Sequence, residues 1–275
     1  MKIVMRLVSA LWLISTLAMC GASAQPYTPN QEGVTMGHWH LNSRDIERSR
    51  KMFLAMGGVD GGGGPLQRVI FPGVVVILNL PAGAEPATAG TDGSVVNHVG
   101  FVVPNVQQSV AKWKAAGVPV LPGTNNRLDQ AWVVTPDGLR IEILEDKNQT
   151  MPIKSDHVHF FEPAVVIPES QAWYVKMFGA KPGVRNNLPV DDLPGTQLRF
   201  NKVEALGAPT KGRVLDHIGF DVIDLKATIA RLQANGVKLD RPYTVNDSGV
   251  GIAFITDPWG TYIELNQRPK PAYLN

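Results

Sequence analysis

His98-Val99-Gly100-Phe101 returns 119 residues later as His217-Ile218-Gly219-Phe220. The chain holds six histidines, and adding 119 to His38, His40 and His98 gives His157, His159 and His217, so the whole set is duplicated at one offset. The surroundings follow. Ala115, Gly117 and Val118 match Ala234, Gly236 and Val237. Thr135-Pro136-Asp137-Gly138-Leu139-Arg140-Ile141-Glu142 is echoed by Thr256-Asp257-Pro258-Trp259-Gly260-Thr261-Tyr262-Ile263-Glu264. Self-similarity at a fixed period marks copies of one unit. We read a first domain over 36–146, a linker over 147–154 containing Pro152, a second domain over 155–267 and a tail over 268–275.

Each copy divides again. Histidine-led apolar strands at His38 and His98 are each followed by a helical stretch and further strands. Asp45 is placed to cap a helix in which Ile46, Ser49, Met52, Phe53 and Met56 recur at helical spacing, and Gly57-Gly58 ends it. Arg68–Phe71, Val74–Leu80, Ala131–Val134 and Leu139–Leu144 are strand-like. A second helix carries Val106, Val110 and Trp113, and the second copy places helices at Ala172–Phe178 and Leu225–Ala234. Trp113 and Trp173 read as helix–sheet packing, and Trp39 as facing away from the histidines beside it. The Gly61–Gly64 run has no phosphate-loop context and reads as a turn. The expected class is therefore mixed α+β, built from four strand–helix–strand–strand(–strand) modules.

The amino terminus reads as an address. Lys2 and Arg6 precede an apolar run of 13 residues, Leu7 to Met19, and Ala22-Ser23-Ala24 supplies a small-residue cleavage pattern. A signal peptide over 1–24 and a flexible lead-in over 25–35 follow, with a periplasmic or secreted product. The alternatives are an uncleaved anchor and a lipoprotein acylated at Cys20. Without residues 1–24 the chain has 251 residues, 24 basic and 24 acidic, and no cysteine. That balance gives no footprint for nucleic acid or an anionic membrane. The absence of cysteine after residue 24 excludes disulfides, thiolate nucleophiles and zinc–thiolate sites there.

The chemistry is expected on the strands. Side chains two apart on a strand share a face, so His38 and His40 point together, as do His157 and His159. Glu142 stands between Ile141 and Ile143, and Glu264 between Ile263 and Leu265. A carboxylate in an apolar strand is costly to bury without a partner, and a metal ion removes that cost. Two imidazoles and a carboxylate suit Fe(II), Mn(II) or Zn(II) and leave positions open for substrate. The bland alternative is duplicated histidines that serve only the core, with Glu142 at the surface.

These residues resemble the vicinal oxygen chelate superfamily, which includes glyoxalase I, fosfomycin-resistance proteins and extradiol dioxygenases. The resemblance is carried by the two histidine-plus-Gly-Phe strands and by Thr256-Asp257-Pro258-Trp259-Gly260 leading to Glu264. It implies tandem domains, each made of two paired βαβββ modules forming an open eight-stranded cup with a metal inside. It further implies the ligand sets His38, His98 and Glu142 in the first domain, and His157, His217 and Glu264 in the second. Ligand spacings are 60 and 44 residues in one copy, 60 and 47 in the other. His38 is preferred to His40 because Asp45 follows it by seven. Glyoxalase I-like enzymes add a carboxylate ligand where this chain has Asn79 and Asn201. Two-domain extradiol dioxygenases keep one metal set and add a pocket histidine.

The expected function is that of an exported metal-dependent enzyme. Its small-molecule substrate would chelate the ion through vicinal oxygens, in extradiol-dioxygenase-like or isomerase/lyase-like chemistry. His40 and His159, about 6–7 Å from their neighbours along the strand, would be general bases or support the ligands. Arg140 and Tyr262 precede the glutamates by two; Arg140 would hold an anion and Tyr262 donate a proton, with salt bridging or rim packing as the plainer roles. The rival is a non-catalytic ligand-binding or sequestering protein of the same fold. One working domain shaped by the other is a further arrangement, and the fold leaves room for a homodimer.

Overall fold

The structure, a computed structural model, describes residues 27–62, 64, 66–80 and 89–269. The expected signal peptide with Cys20, Gly63 and most of the tail lie outside the described residues.

Four modules follow one another. The first is β1 (Val34–Asn42), α1 (Ile46–Met56), β2 (Val59–Asp60), β3 (Gln67–Phe71) and β4 (Val74–Asn79). The second is β5 (Val96–Val103), α2 (Val106–Ala115), β6 (Val120–Pro122), β7 (Gln130–Val134) and β8 (Arg140–Glu145). The third is β9 (Lys154–Pro163), α3 (Ile167–Phe178), β10 (Lys181–Arg185), β11 (Leu188–Leu193) and β12 (Thr196–Val203). The fourth is β13 (Leu215–Val222), α4 (Leu225–Ala234), β14 (Leu239–Val245), β15 (Gly251–Thr256) and β16 (Tyr262–Gln267).

Local chemistry sets the helix ends. The Asp45 carboxylate accepts a hydrogen bond from the Arg48 amide at 3.0 Å, and Gly57 closes α1 at φ 113°. Asn105 and Asp224 cap α2 and α4 in the same way. Helix α3 starts earlier than the expected Ala172, because Pro168 takes a first-turn position where no amide is needed. Two connections also differ from expectation. The lead-in is shorter, since β1 begins at Val34 and the Asn30 amide donates to the carbonyls of Phe178 and Gly179. The linker is not a loose tether, since Ile153 is buried in the core and β9 begins at Lys154.

Two eight-stranded sheets result, in the orders β14-β15-β16-β13-β1-β4-β3-β2 and β10-β11-β12-β9-β5-β8-β7-β6. Each is two paired modules, as expected for tandem cups, but the pairing corrects the domain division read from the repeat. The first module joins the fourth and the second joins the third. Each sheet therefore takes one module from 36–146 and one from 155–267. The central joints are antiparallel, β1 with β13 and β5 with β9.

The faces away from the histidines are packed together. Trp39, fully buried, lies 5.1 Å from the Phe101 ring of the other sheet, and Phe101 lies 4.5 Å from Phe71. Phe220 rests 4.9 Å from Phe178 of α3, and the Trp113 indole donates to the Met56 carbonyl at 3.2 Å. One continuous apolar core joins both sheets and the helices. The histidine-bearing faces are left as two separate cups. Burial on both faces explains why β5 reads as a mainly apolar run and why the centre of β13, Ile218-Gly219-Phe220, carries no polar side chain.

Candidate metal centres

The register of the central strands builds each site. In the first cup His40 stands opposite His217 and His38 opposite Gly219, while β16 places Glu264 beside Gly219 on the other side. In the second cup His159 stands opposite His98, and Gly100 lies between His157 and Glu142. The glycine of the His-x-Gly-Phe strand thus separates an imidazole from a carboxylate two strands away. A Cβ at Gly219 would sit 2.0 Å from His38 Cε1, and one at Gly100 would sit 2.0 Å from His157 Cε1. Each ring occupies the space a glycine Cβ would take on its way to the glutamate. The phenylalanine that follows points into the core.

The clusters differ from those the repeat suggested. Ligand atoms of His38, His40, His217 and Glu264 all lie within 4.8 Å of one another, as do those of His98, His157, His159 and Glu142. His98 and Glu142 therefore belong with His157, and His38 belongs with His217 and Glu264. The expected sets His38–His98–Glu142 and His157–His217–Glu264 are corrected because β1 pairs with β13 rather than β5. His40 and His159 also stand inside the clusters rather than beside them.

Glu264 Oε2 lies 2.7 Å from His217 Nε2 and 3.2 Å from His38 Nε2. Glu142 Oε2 lies 3.1 Å from His157 Nε2 and 3.5 Å from His98 Nε2. The other ring nitrogens are anchored. Asp216 holds His217 Nδ1 at 2.6 Å, Asp156 holds His157 Nδ1 at 2.8 Å, and Asn97 holds His98 Nδ1 at 2.9 Å. These bonds fix the tautomer and aim Nε2 at the glutamate. The sequence carries a signal for these anchors, an Asp or Asn immediately before each of the three histidines. Gln130, which donates to Glu142, and Arg199, which donates to Asp156 at 2.6 Å, reach across strands and have no such signature.

Whether an ion fits is answered by unpaired nitrogen atoms. His40 Nδ1 and His159 Nε2 are buried with no hydrogen-bond partner, and His38 Nε2 and His157 Nε2 face the glutamate oxygens at 3.2 and 3.1 Å without hydrogen-bond geometry. Buried polar atoms seldom go unmatched. Here they converge with a carboxylate, as nitrogen and oxygen donors to a divalent ion do. The protonation states agree at both glutamates, His98 and His40, whereas His217, raised against its burial by the hydrogen bonds to Asp216 and Glu264, would give up a proton to an ion. Burial works against ionising Glu264, but the charge of His38 and the hydrogen bond from His217 outweigh it and hold the carboxyl well below the usual range. Glu142 is held low in the same way by His157 and His98. Burial pushes His98 down to about 4, and burial with the charges of His217 and His38 pushes His40 down to about 3. Neutral imidazole and ionised carboxylate are the states that bind metal.

Both cups are open. The first encloses about 850 Å³ and the second about 490 Å³. Tyr262 lines the first, its ring 5.0 Å from Phe254 and 5.7 Å from His217. Burial raises its hydroxyl to about 12, so it stays protonated. Arg140 lines the second, over the Trp132 ring at 4.9 Å and 3.3 Å from Asp92. Asn79 Oδ1 meets His40 Nε2 at 2.8 Å, and Asn201 lines the second cup.

Residues 158–265 match the family model of the Glyoxalase/Bleomycin resistance protein/Dioxygenase superfamily. No curated protein matches the chain in sequence. Among solved structures, glyoxalase I from Zea mays superposes with a TM-score of 0.66 at 16% identity, covering 85% of this chain and 92% of that one. A putative dioxygenase from Bacillus subtilis subsp. subtilis strain 168 superposes at 0.60 with 15% identity, covering 91% of this chain and 88% of that one. At such identities the likeness is one of fold.

Proposed function

Taking as premise that the stretch 158–265 belongs to the glyoxalase/bleomycin resistance/dioxygenase superfamily, we propose that the chain is an exported metal-dependent enzyme. Its substrate is a small molecule that chelates a divalent ion through two neighbouring oxygens. The observation that carries this reading is the convergence of three imidazoles and one carboxylate in each of two open cups, with buried nitrogens left unpaired. His38, His40, His217 and Glu264 would hold one ion, and His98, His157, His159 and Glu142 the other. An ion held by these four side chains would keep coordination positions open for substrate oxygens. The ion, Fe(II), Mn(II) or Zn(II), would supply Lewis-acid polarisation of those oxygens.

The chain's own groups do the rest. Asp216, Asp156 and Asn97 keep the rings aimed. Tyr262, protonated at neutral pH, offers a hydrogen bond from the wall of the first cup to a substrate oxygen. Arg140, held over Trp132 and paired with Asp92, takes the plainer part of salt bridging and rim packing in the second. Export rests on the basic start, the apolar run to Met19 and Ala22-Ser23-Ala24, and N-terminal sequencing of the exported product should begin at Gln25.

Metal analysis of the purified protein tests the core of the proposal. About two equivalents are expected, falling to about one in His217→Ala and again in His98→Ala. No metal in any form after reconstitution would sink it. Oxygen uptake by the Fe(II)-loaded protein with catechol would place the chemistry with ring cleavage. Metal and substrate binding without turnover of any oxygen-chelating substrate would leave a sequestering protein.

A further inference from the structure

The two cups carry the same ligand types but opposite treatment of positive charge. In the second cup every nearby cation is matched. Arg127 pairs with Asp129 at 2.7 Å, Arg140 with Asp92 at 3.3 Å and Arg199 with Asp156 at 2.6 Å. In the first cup four cations line the wall, Arg68, Lys211, Arg241 and Arg268, against the carboxylates of Asp216 and Glu264. Arg268 is bound to Asp221 at 2.8 Å. Among the described residues no carboxylate lies within ion-pairing distance of Arg68, Lys211 or Arg241. Lys211 instead sits 4.5 Å over the Tyr262 ring, and Arg241 sits 4.8 Å over the Phe254 ring. Asp216 is taken up by His217, by the Gly212 amide and by Asn42.

The sheet register places Arg241 and Arg68 on opposite sides of the ligand cluster. Arg241 is opposite Phe254, which is opposite Glu264. Arg68 is opposite Ile77, which is beside His40. Each cation is therefore two strands, about 10 Å, from a ligand, close enough for its long side chain to lean over the cup. A second observation points the same way. Asn266, two residues beyond Glu264 on β16, lines the same cavity, is 7% exposed, and has an Nδ2 with no hydrogen-bond partner. A buried, unsatisfied donor among cations that have no carboxylate partner needs an acceptor. Ile77, Ile252 and Phe254 supply an apolar wall between them.

We infer that the two cups take different substrates, and that the His38 cup selects a small carboxylate-bearing molecule whose anionic end meets Arg68, Lys211, Arg241 and Asn266. The His98 cup, with its cations already neutralised, has no such preference. This rests on the metal reading above for the chelating end of the substrate, but the charge selection stands on the chain's own residues.

A matched pair of probes tests it. The full-length protein, loaded with Zn(II), is titrated calorimetrically with catechol and with 3,4-dihydroxybenzoate, which differ by one carboxylate. One of two equivalents of the acid should bind at least tenfold tighter than catechol, about 1.4 kcal/mol, and the other about equally. In the double variant Lys211→Gln/Arg241→Gln, both positions being exposed, the ratio of acid to catechol affinity should fall to about one. Equal affinity for both probes in both cups, or an advantage that survives the double variant, overturns the inference. Metal failure is separable. If Zn(II) does not bind, the metal-free protein is titrated with benzoate and benzamide. A preference for benzoate that is lost in the double variant upholds the charge selection alone, and no preference ends it.

Discussion

At the scale of single residues, the most demanding positions are two glycines. His38 and His157 reach their glutamates only because Gly219 and Gly100 have no Cβ. We expect Gly219→Ala to displace the His38 ring and weaken metal binding in the first cup by about 10–100-fold, the cost typical of disturbing a ligand's support. The second cup should be untouched, and Gly100→Ala should show the converse. Competition with a chromophoric chelator reads both, and unaltered affinity in both variants would refute the geometry. A second residue-scale prediction concerns Glu162, fully buried in β9, with Ser170 donating to one oxygen and the other oxygen unpaired. Burial, aided by Asp257, raises its carboxyl to about 8. Between about pH 4.5 and 8 the folded chain thus holds a proton that the unfolded chain has released, so stability falls as pH rises through that window and levels beyond it. Glu162→Gln should flatten the decline in melting temperature between pH 5 and 8, and a slope equal to that of the parent would refute the assignment. The histidines and glutamates were legible because duplication copied their type and spacing. Glu162 was not, because nothing near it in sequence announces that Asp257 folds against it.

At the scale of elements, hydrophobic periodicity and capping residues located the helices well. The Asp45 cap and Gly57 stop bound α1, and α4 runs over the expected Leu225–Ala234. Replacing Asp45 by Ala should cost about 1 kcal/mol of stability, since the Arg48 amide loses its acceptor, and chemical denaturation with unchanged m-value measures it. A parent-like midpoint would show that the cap contributes nothing. Helix α3 was underestimated because Ile167 and Pro168 precede its clear apolar pattern. The bulges in β1 between Met36 and His38 and between His40 and Leu41, and in β5 on either side of His98–Gly100, could not be read from alternation, since a bulge is a property of the pair of strands rather than of either one.

At the scale of the whole molecule, the repeat revealed two copies but not how they interlock. All four modules carry the same pattern, so β1 could meet β5 within its own copy or β13 in the other with similar complementarity. Tertiary packing decides: Trp39 packs on Phe101, which packs on Phe71 in the shared core, and the short connection through Ile153 leads β8 directly into the strand beside β5. Neither half of the chain therefore contains a cup built as the intact molecule builds it. We expect fragments 25–146 and 155–275, prepared separately, to lack tight metal binding as monomers. When co-refolded they should restore about two equivalents in a one-to-one complex. Size-exclusion chromatography with metal detection on the eluate separates the species. Metal coeluting with either monomeric half would show that modules pair within a copy and would remove the basis for the ligand sets described above. Metal eluting only with species that contain two halves is the outcome the sheet order requires, because His217 and Glu264 must come from one half and His38 from the other.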